Sequence, residues 1–583
     1  MTEGDTATPS ERRRATRLLG RVVRSGGAAT VALAVASLLL AAASTAFPAV
    51  LGATLDAVLV GDPGSWLLWC GLLIAVIVAC DVLDDLAAGL SSARATARLR
   101  HTLLRHLLAT GPAATRTFTA GDLSGRLVGN AADAGQVATV AIWSMTALLP
   151  AVGGTVALAL IDPWLCVTFL VTLPLLAPLA RAFVRDAAAL ADRYLQVQGR
   201  VAGRLAESVA GARTIAAAGT ADRETERVLA PLPELHRHGV GMWHAQGRIA
   251  AQEAALVLLL ELAVLAVAGW QLSRGRISPG ELLAAAQYVG LATGLGATTS
   301  ALGRLVRLRS AAGRVAEVLA LPARTYGSVA LPRGPSPLEF RGVTVRDADG
   351  TALLNRLDLV VPESSAVAVV GRSGAGKSLL AALAGRLLDP DEGEVTLAGV
   401  PLPALDHDVL RTAVSYGFER PVLLGETVSD AITLGLAPVA QSGVRVAARA
   451  ARIDDVLLRL PDGYRTRCDD LRLSGGEIQR IGLARAFVRP SRLLIFDDVA
   501  ASLDSVTEHH ISAVLTGPMA DRTRLIVAHR ASTAARADLV LWLDGGRIRA
   551  CGRHRDLWDD PDYRAVFAPV RAETAAACPA GVP

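Results

Sequence analysis

The stretch Gly371-Arg372-Ser373-Gly374-Ala375-Gly376-Lys377-Ser378 decides how the C-terminal half of this 583-residue chain is read. It fits GxxxxGK[ST], a glycine-rich loop that closes on a phosphate chain. Its flanks supply the context the pattern needs, a strand-like apolar run at 366–370 and a helical run at 379–387. Glycines let backbone N–H groups approach phosphate oxygens, and the N-terminus of the following helix favours negative charge. Lys377 has the reach for the outer phosphates, and Ser378 offers a hydroxyl ligand for Mg2+. Composition singles out the same residue: of 59 Lys and Arg, only Lys377 is a lysine. Arginine is a bulky planar fork, whereas a compact ammonium on a flexible stem fits inside a loop wrapped round a phosphate.

Further along, Arg492-Leu-Leu-Ile-Phe-Asp497-Asp498 is an apolar strand that ends in two carboxylates. Taken alone it could be a strand closing in an acidic turn. Beside the glycine loop, Asp497 is expected to hold Mg2+ through water and Asp498 to polarise an attacking water. Between the two lies Leu473-Ser474-Gly475-Gly476-Glu477-Ile-Gln-Arg480, which opens a helix, and beyond them come Ala501-Ser-Leu-Asp504 and Ile526-Val-Ala-His529-Arg530. A lone histidine after an apolar strand is usually structural; the distance of His529 from the acidic strand end argues for a functional one.

The N-terminal half is of another kind. The chain is 52% hydrophobic and 19% charged, too apolar for an ordinary soluble protein. Six nearly uncharged windows, 27–55, 65–80, 134–161, 163–180, 254–272 and 282–303, can each cover most or all of a bilayer core as helix. The first is too long for a signal-peptide core and is expected to stay in the mature chain. Arg12, Arg13, Arg14, Arg17, Arg21 and Arg24 precede it, and the two long connections are rich in arginine. Positive charge inside then puts both termini in the cytosol and makes the cell membrane the expected location, with Arg274 and Arg276 weighing slightly against that orientation. The long connections read as helix, as at 93–108 and 200–218, and should project from the membrane. Asp81, Asp84 and Asp85 fall at i, i+3, i+4 near the inner end of the second window, and Glu261 lies in the fifth. They form either a cation-binding patch or a cytosolic boundary paired with arginines such as Arg94. The net charge of +5 comes with no basic stripe interleaved with aromatics, so no nucleic-acid partner is expected. Six cysteines show neither CxxC pairing nor metal-ligand spacing, so neither a disulfide framework nor a cysteine metal site is expected.

In this order, glycine loop, LSGG, acidic strand end and histidine, behind six spans, the chain resembles the ATP-binding-cassette family and its exporter-type half-transporters. Ala120-Gly-Asp-Leu-Ser-Gly-Arg126-Leu127 and 205–215 are similar to the family's two intracellular-loop segments. The resemblance implies an all-α six-helix transmembrane domain followed by a cytosolic α/β P-loop nucleotide-binding domain. The expected boundaries are a basic segment at 1–26, the membrane domain at 27–320, a linker at 321–337, the ATP-binding domain at 338–570 and a disordered tail at 571–583. With the first span starting near residue 27, no room is expected for the cysteine peptidase that precedes some peptide exporters. The family also implies a dimer that sandwiches two ATP molecules. Ser474, Gly475 and Gly476 would contact the γ-phosphate of the partner's ATP, and His529 that of the chain's own. The function implied is ATP-driven export of an amphipathic small molecule, peptide or natural product. Siderophore import on the same fold and a mainly regulatory ATP-binding subunit are the alternatives.

Three positions depart from the family pattern. The residue after the magnesium aspartate is normally Glu and here is Asp498, one methylene shorter; a displacement of about 1 Å can cost on the order of 10²-fold in rate. Glu419, in Val414-Ser-Tyr-Gly-Phe-Glu419-Arg-Pro, stands where Gln is usual. It can still approach Mg2+ and adds negative charge beside the γ-phosphate. Asp347 takes the place of an aromatic that stacks on adenine, a loss of about 1–3 kcal/mol if nothing substitutes. The segment 466–472 also lacks the usual GERG stretch. The expectation that follows is a heterodimer in which this chain's own site is slow and its intact LSGG completes the site of a second half-transporter. An active homodimer is the alternative.

Overall fold

The computed structural model describes residues 9–62, 64–293, 296–347, 349–499 and 505–567. The described residues fall into two compact units, one within 1–108 and 118–321, the other within 109–117 and 322–583.

The N-terminal unit is helical. Its main elements are α1 (Pro9–Ser25), α2 (Ala28–Val60), α3 (Gly64–Thr110), α4 (Val137–Thr146), α5 (Leu148–Ile161), α6 (Pro163–Ala210), α7 (Leu232–Ser273), α8 (Pro279–Thr293) and α9 (Gly296–Leu319). Three apolar stretches, Ala28–Val60, Gly64–Thr110 and Ala120–Ile161, are long enough to cross a membrane among the described residues. Shorter apolar segments at Pro163–Thr172 and Val257–Ser273 begin α6 and end α7. With 47, 48 and 42 residues, α3, α6 and α7 are at least twice the roughly 20 residues a bilayer requires, so each continues well past its apolar part. The outward side of α3 carries Leu67, Leu68, Leu72, Val78, Val82 and Leu86 exposed, as a lipid-facing surface should.

Among the described residues, two larger apolar cores hold the unit together. Leu158, Phe169, Leu260, Val264, Tyr288 and Val289 hold α5 to α8 together. Leu18 and Val22 of α1 pack with Leu99 and Leu103 of α3 and with Leu308, Ala312 and Val315 of α9. The helical reading of the connections needs one refinement: at Gly211 the long helix ends, and a separate turn, Ala212–Ala218, follows. The third window is likewise interrupted, between α4 and α5. Arg126, from the first intracellular-loop segment, is buried and bonds Asp122 at 3.0 Å and Glu317 of α9 at 2.6 Å.

The C-terminal unit holds two sheets. One has the order β2-β1-β4-β5, from β1 (Leu338–Arg346), β2 (Ala352–Val361), β4 (Glu392–Leu397) and β5 (Val400–Pro401), all antiparallel. The other has the order β10-β9-β3-β8-β7-β6. Its strands are β3 (Ala366–Val370), β6 (Val414–Phe418), β7 (Leu493–Asp497), β8 (Thr523–Val527), β9 (Leu539–Asp544) and β10 (Arg547–Gly552). Five are parallel and only β10 is antiparallel. Every residue of β3 and β8 is buried, the signature of parallel strands covered on both faces. The helices that matter most for the site are α10 (Lys377–Ala384), α11 (Gly475–Phe487) and α12 (Ser505–Thr516).

Candidate nucleotide site

Strand order explains how residues more than 150 positions apart meet. The adjacent parallel strands β3, β8, β7 and β6 end, respectively, at the glycine loop, His529, Asp497-Asp498 and Glu419. Ligands of open α/β sheets bind at these carboxyl ends. The loop needs its glycines for backbone reasons: Gly376 sits at φ 98°, and a Cβ there would lie 2.6 Å from the Leu354 side chain. Arg372, Ser373 and Gly374 are exposed at the loop crest, Ala375 is buried, and α10 begins at Lys377. The buried Lys377 Nζ donates to the carbonyls of Gly371 at 2.8 Å and Arg372 at 3.0 Å, which leaves one of its three donors uncommitted. Ser378 Oγ donates to Asp497 Oδ1 at 2.9 Å, so a hydroxyl and a carboxylate already stand side by side.

Charge is crowded here. Burial lowers the Lys377 pKa, opposed by the nearby Asp498 and Asp497 carboxylates. Burial raises Asp497, the Ser378 hydrogen bond holds it back, and Glu419 pushes it up further. Asp498 is raised by burial, eased by His529, and raised again by Glu419 and Asp497. His529 Nε2 lies 3.7 Å from Asp498 Oδ2, while Glu419 approaches Arg420 at 3.5 Å. The hydroxyl and carboxylate oxygens suit Mg2+, which is usually held by one or two carboxylates together with substrate phosphates. Among the described residues no group of three or more His, Cys, Asp or Glu is arranged to hold a metal by protein ligands alone.

Asp498 adopts φ 49°, the left-handed region that Asp tolerates better than most side chains. Its carbonyl accepts from Gln479 Nε2 at 3.3 Å, and the same amide donates to Glu419 O at 3.2 Å. Gln479 is buried on α11, so one side chain of the LSGG helix ties together the backbones of Glu419 and Asp498, two of the three acidic positions that depart from the family pattern. The glutamine is visible in the quoted motif, but its role requires the tertiary contact. Ser474, Gly475 and Gly476 open α11 without hydrogen-bonding to the Lys377 cluster among the described residues. Ser474 and Glu477 form a reciprocal capping box, with Ser474 N donating to Glu477 Oε2 at 2.7 Å. Asp347 is exposed in a turn in which its N–H donates to Thr351 O at 2.8 Å. Residues 501–504 lie outside the described residues.

The membrane-half carboxylates separate on inspection. Asp84 is buried, accepting from Ser37 of α2 and from Trp143 Nε1 of α4 at 2.7 Å, whereas Asp81 and Asp85 are exposed. Asp84 therefore pins three helices together, and none of the three aspartates forms an ion pair with Arg94 among the described residues.

Comparison with known proteins matches residues 30–295 to the ABC transporter transmembrane region and residues 354–501 to the ABC transporter model. The chain is 46% identical over 544 residues to the ABC transporter ATP-binding protein RamA of Streptomyces coelicolor, covering 93% of this chain and 85% of that protein. The chain belongs to the ABC transporter family. It is an exporter-type half-transporter, a membrane protein that joins a helical transmembrane domain to an α/β nucleotide-binding domain, and a transport ATPase. The multidrug efflux ATP-binding/permease protein of Mycobacterium tuberculosis is 32% identical over 419 residues, 70% of this chain and 35% of that longer protein. The mycobactin import ATP-binding/permease protein IrtB of Mycolicibacterium smegmatis is 36% identical over 306 residues, 51% of this chain and 52% of that protein. ABC relatives with such different cargoes leave the substrate of this transporter undetermined by likeness alone.

Proposed function

We propose that this ABC half-transporter exports an amphipathic small molecule, peptide or natural product across the cell membrane, both termini cytosolic, as one half of a heterodimer. Its own ATP site binds nucleotide and hydrolyses it slowly. The observation that carries this reading is the convergence of Lys377, Ser378, Asp497, Asp498, Glu419 and His529 at four adjacent strand ends, with acids at 419 and 498. In this reading residues 27–320 form the membrane domain, 321–337 the linker and 338–570 the ATP-binding domain, while the tail at 571–583 lies outside the described residues.

Each residue has a part. The N–H groups of 371–376 and the start of α10 bind the phosphates, and the ammonium of Lys377 lies over the outer ones. Ser378 and Asp497, with Glu419 close by, would hold Mg2+, and the ion would supply positive charge to offset that of the outer phosphates. Asp498 orients the attacking water from a side chain one methylene shorter than glutamate, and His529 contacts the γ-phosphate. Ser474, Gly475 and Gly476 serve the partner's nucleotide. Closure of the two ATP-binding domains turns the cavity outward; hydrolysis resets it.

The test is transport by the chain, together with a second half-transporter as candidate partner, in inside-out vesicles. Lys377→Ala should abolish photolabelling of this chain by an azido-ATP and impair uptake. Unchanged labelling would refute nucleotide binding at this loop. A second reading, siderophore import, is favoured by the likeness to the mycobactin importer. It requires ATP to drive cargo out of such vesicles instead of into them.

A further inference from the structure

We propose that α1 and the end of α9 form a site for the phosphate headgroup of an anionic phospholipid, built from Arg14, Arg17 and Arg21 over an apolar floor. The inference rests on the reading that 27–320 lies in a membrane with α1 on its cytosolic side. Arg14, Arg17 and Arg21 recur at i, i+3, i+7 and line one pocket with Leu18 of α1 and Ala316, Leu319 and Ala320 at the end of α9. All three arginines are exposed, and among the described residues none of them is bonded to an acid. Among the described residues the pocket lining holds no carboxylate. Like charges at this spacing repel weakly along a helix, and an anion bound among them would relieve that repulsion.

The usual duty of an amphipathic helix beside a membrane is to bury its apolar face in lipid. Here that duty is already met by protein, since Leu18 and Val22 are buried against α3 and α9. What α1 leaves exposed is its arginine face, directly before the apolar α2 begins at Ala28. Inorganic phosphate or a free nucleotide would satisfy the guanidinium forks but not the apolar floor. A phospholipid satisfies both, its phosphate bidentate on the arginines and its glycerol end over Leu18 and Leu319. Because α9 ends at Leu319, just before the linker, the site stands where lipid could bias the last helix of the membrane unit.

The experiment retains the whole transporter, this chain with its partner, in nanodiscs of phosphatidylcholine mixed with phosphatidylglycerol, and reads lipid kept through native mass spectrometry. Wild type should retain phosphatidylglycerol in preference to phosphatidylcholine. Arg14→Gln, Arg17→Gln and Arg21→Gln should each lower that preference, by about fivefold for each charge removed. The Arg→Lys variants at the same positions should keep much of it, and millimolar inorganic phosphate should not compete. Equal preference in wild type and the triple Gln variant would overturn the site, and competition by inorganic phosphate would overturn the lipid assignment. A chain that kept neither lipid would overturn instead the membrane reading on which the site rests.

Discussion

At Asp498 a backbone torsion and a missing methylene act together. The left-handed φ of 49° is one that aspartate tolerates, and the carbonyl it presents is held by Gln479. Its side chain reaches one methylene less far than a glutamate would. Asp498→Glu should therefore raise ATP hydrolysis at this site, by about 10- to 10²-fold, in a pair whose partner site is silenced. Phosphate release measures it, and an unchanged rate would mean that reach is not what limits the site. Glu419 acts through charge. A proton competes with a metal for Asp497, so whatever raises that pKa makes binding fail at higher pH; Glu419 contributes to the raise after burial. Glu419→Gln should thus move the acid limb of magnesium-nucleotide binding to lower pH, read by a fluorescent nucleotide titrated across pH.

Among the elements, what could be read in advance was what depends on local pattern. The run 366–370 is β3, the acidic strand end is β7, and the apolar windows fall on helices, because strand burial and bilayer length leave direct marks on composition. Pairings across the fold leave no such mark. Nothing in the spacing of Asp81, Asp84 and Asp85 says that only Asp84 turns inward to Ser37 and Trp143, and nothing near Gln479 says that its amide reaches two backbones. Asp454 is a further case. It accepts from Tyr464 at 2.7 Å, Arg449 at 3.0 Å and Arg445 at 3.3 Å, joining the helices Gln441–Ala450 and Asp454–Leu458 to the turn at Gly463–Arg465. Burial pushes this carboxyl up, but its hydrogen bonds outweigh that and hold it below the ordinary aspartate value. A depressed folded pKa stabilises above the unfolded value and loses that contribution as pH falls through the folded one. Asp454→Asn should therefore cost about 1–3 kcal/mol near neutral pH and much less in strong acid. Thermal melts of the full chain at both pH values measure the difference.

For the molecule as a whole, the arginine-rich composition gives its one lysine meaning. A chain that uses arginine almost everywhere keeps lysine at the single place where a phosphate-wrapping loop excludes the larger fork. Lys377 is buried and bonded into that loop, which supports the proposal that this site binds nucleotide. The neighbouring acids argue in the other direction for turnover: Asp498 is short, and Glu419 adds charge where a γ-phosphate would lie. Binding retained and hydrolysis weakened is the combination expected of the slower half of an asymmetric pair. In the proposed pair, the capped LSGG helix would complete the faster site on a second chain. The most direct measurement is ATP hydrolysis by this chain purified alone and together with its partner half-transporter. The expected result is azido-ATP labelling that depends on Lys377, with little turnover alone and vigorous turnover in the pair. Vigorous hydrolysis by this chain alone, abolished by Asp498→Asn, would contradict it.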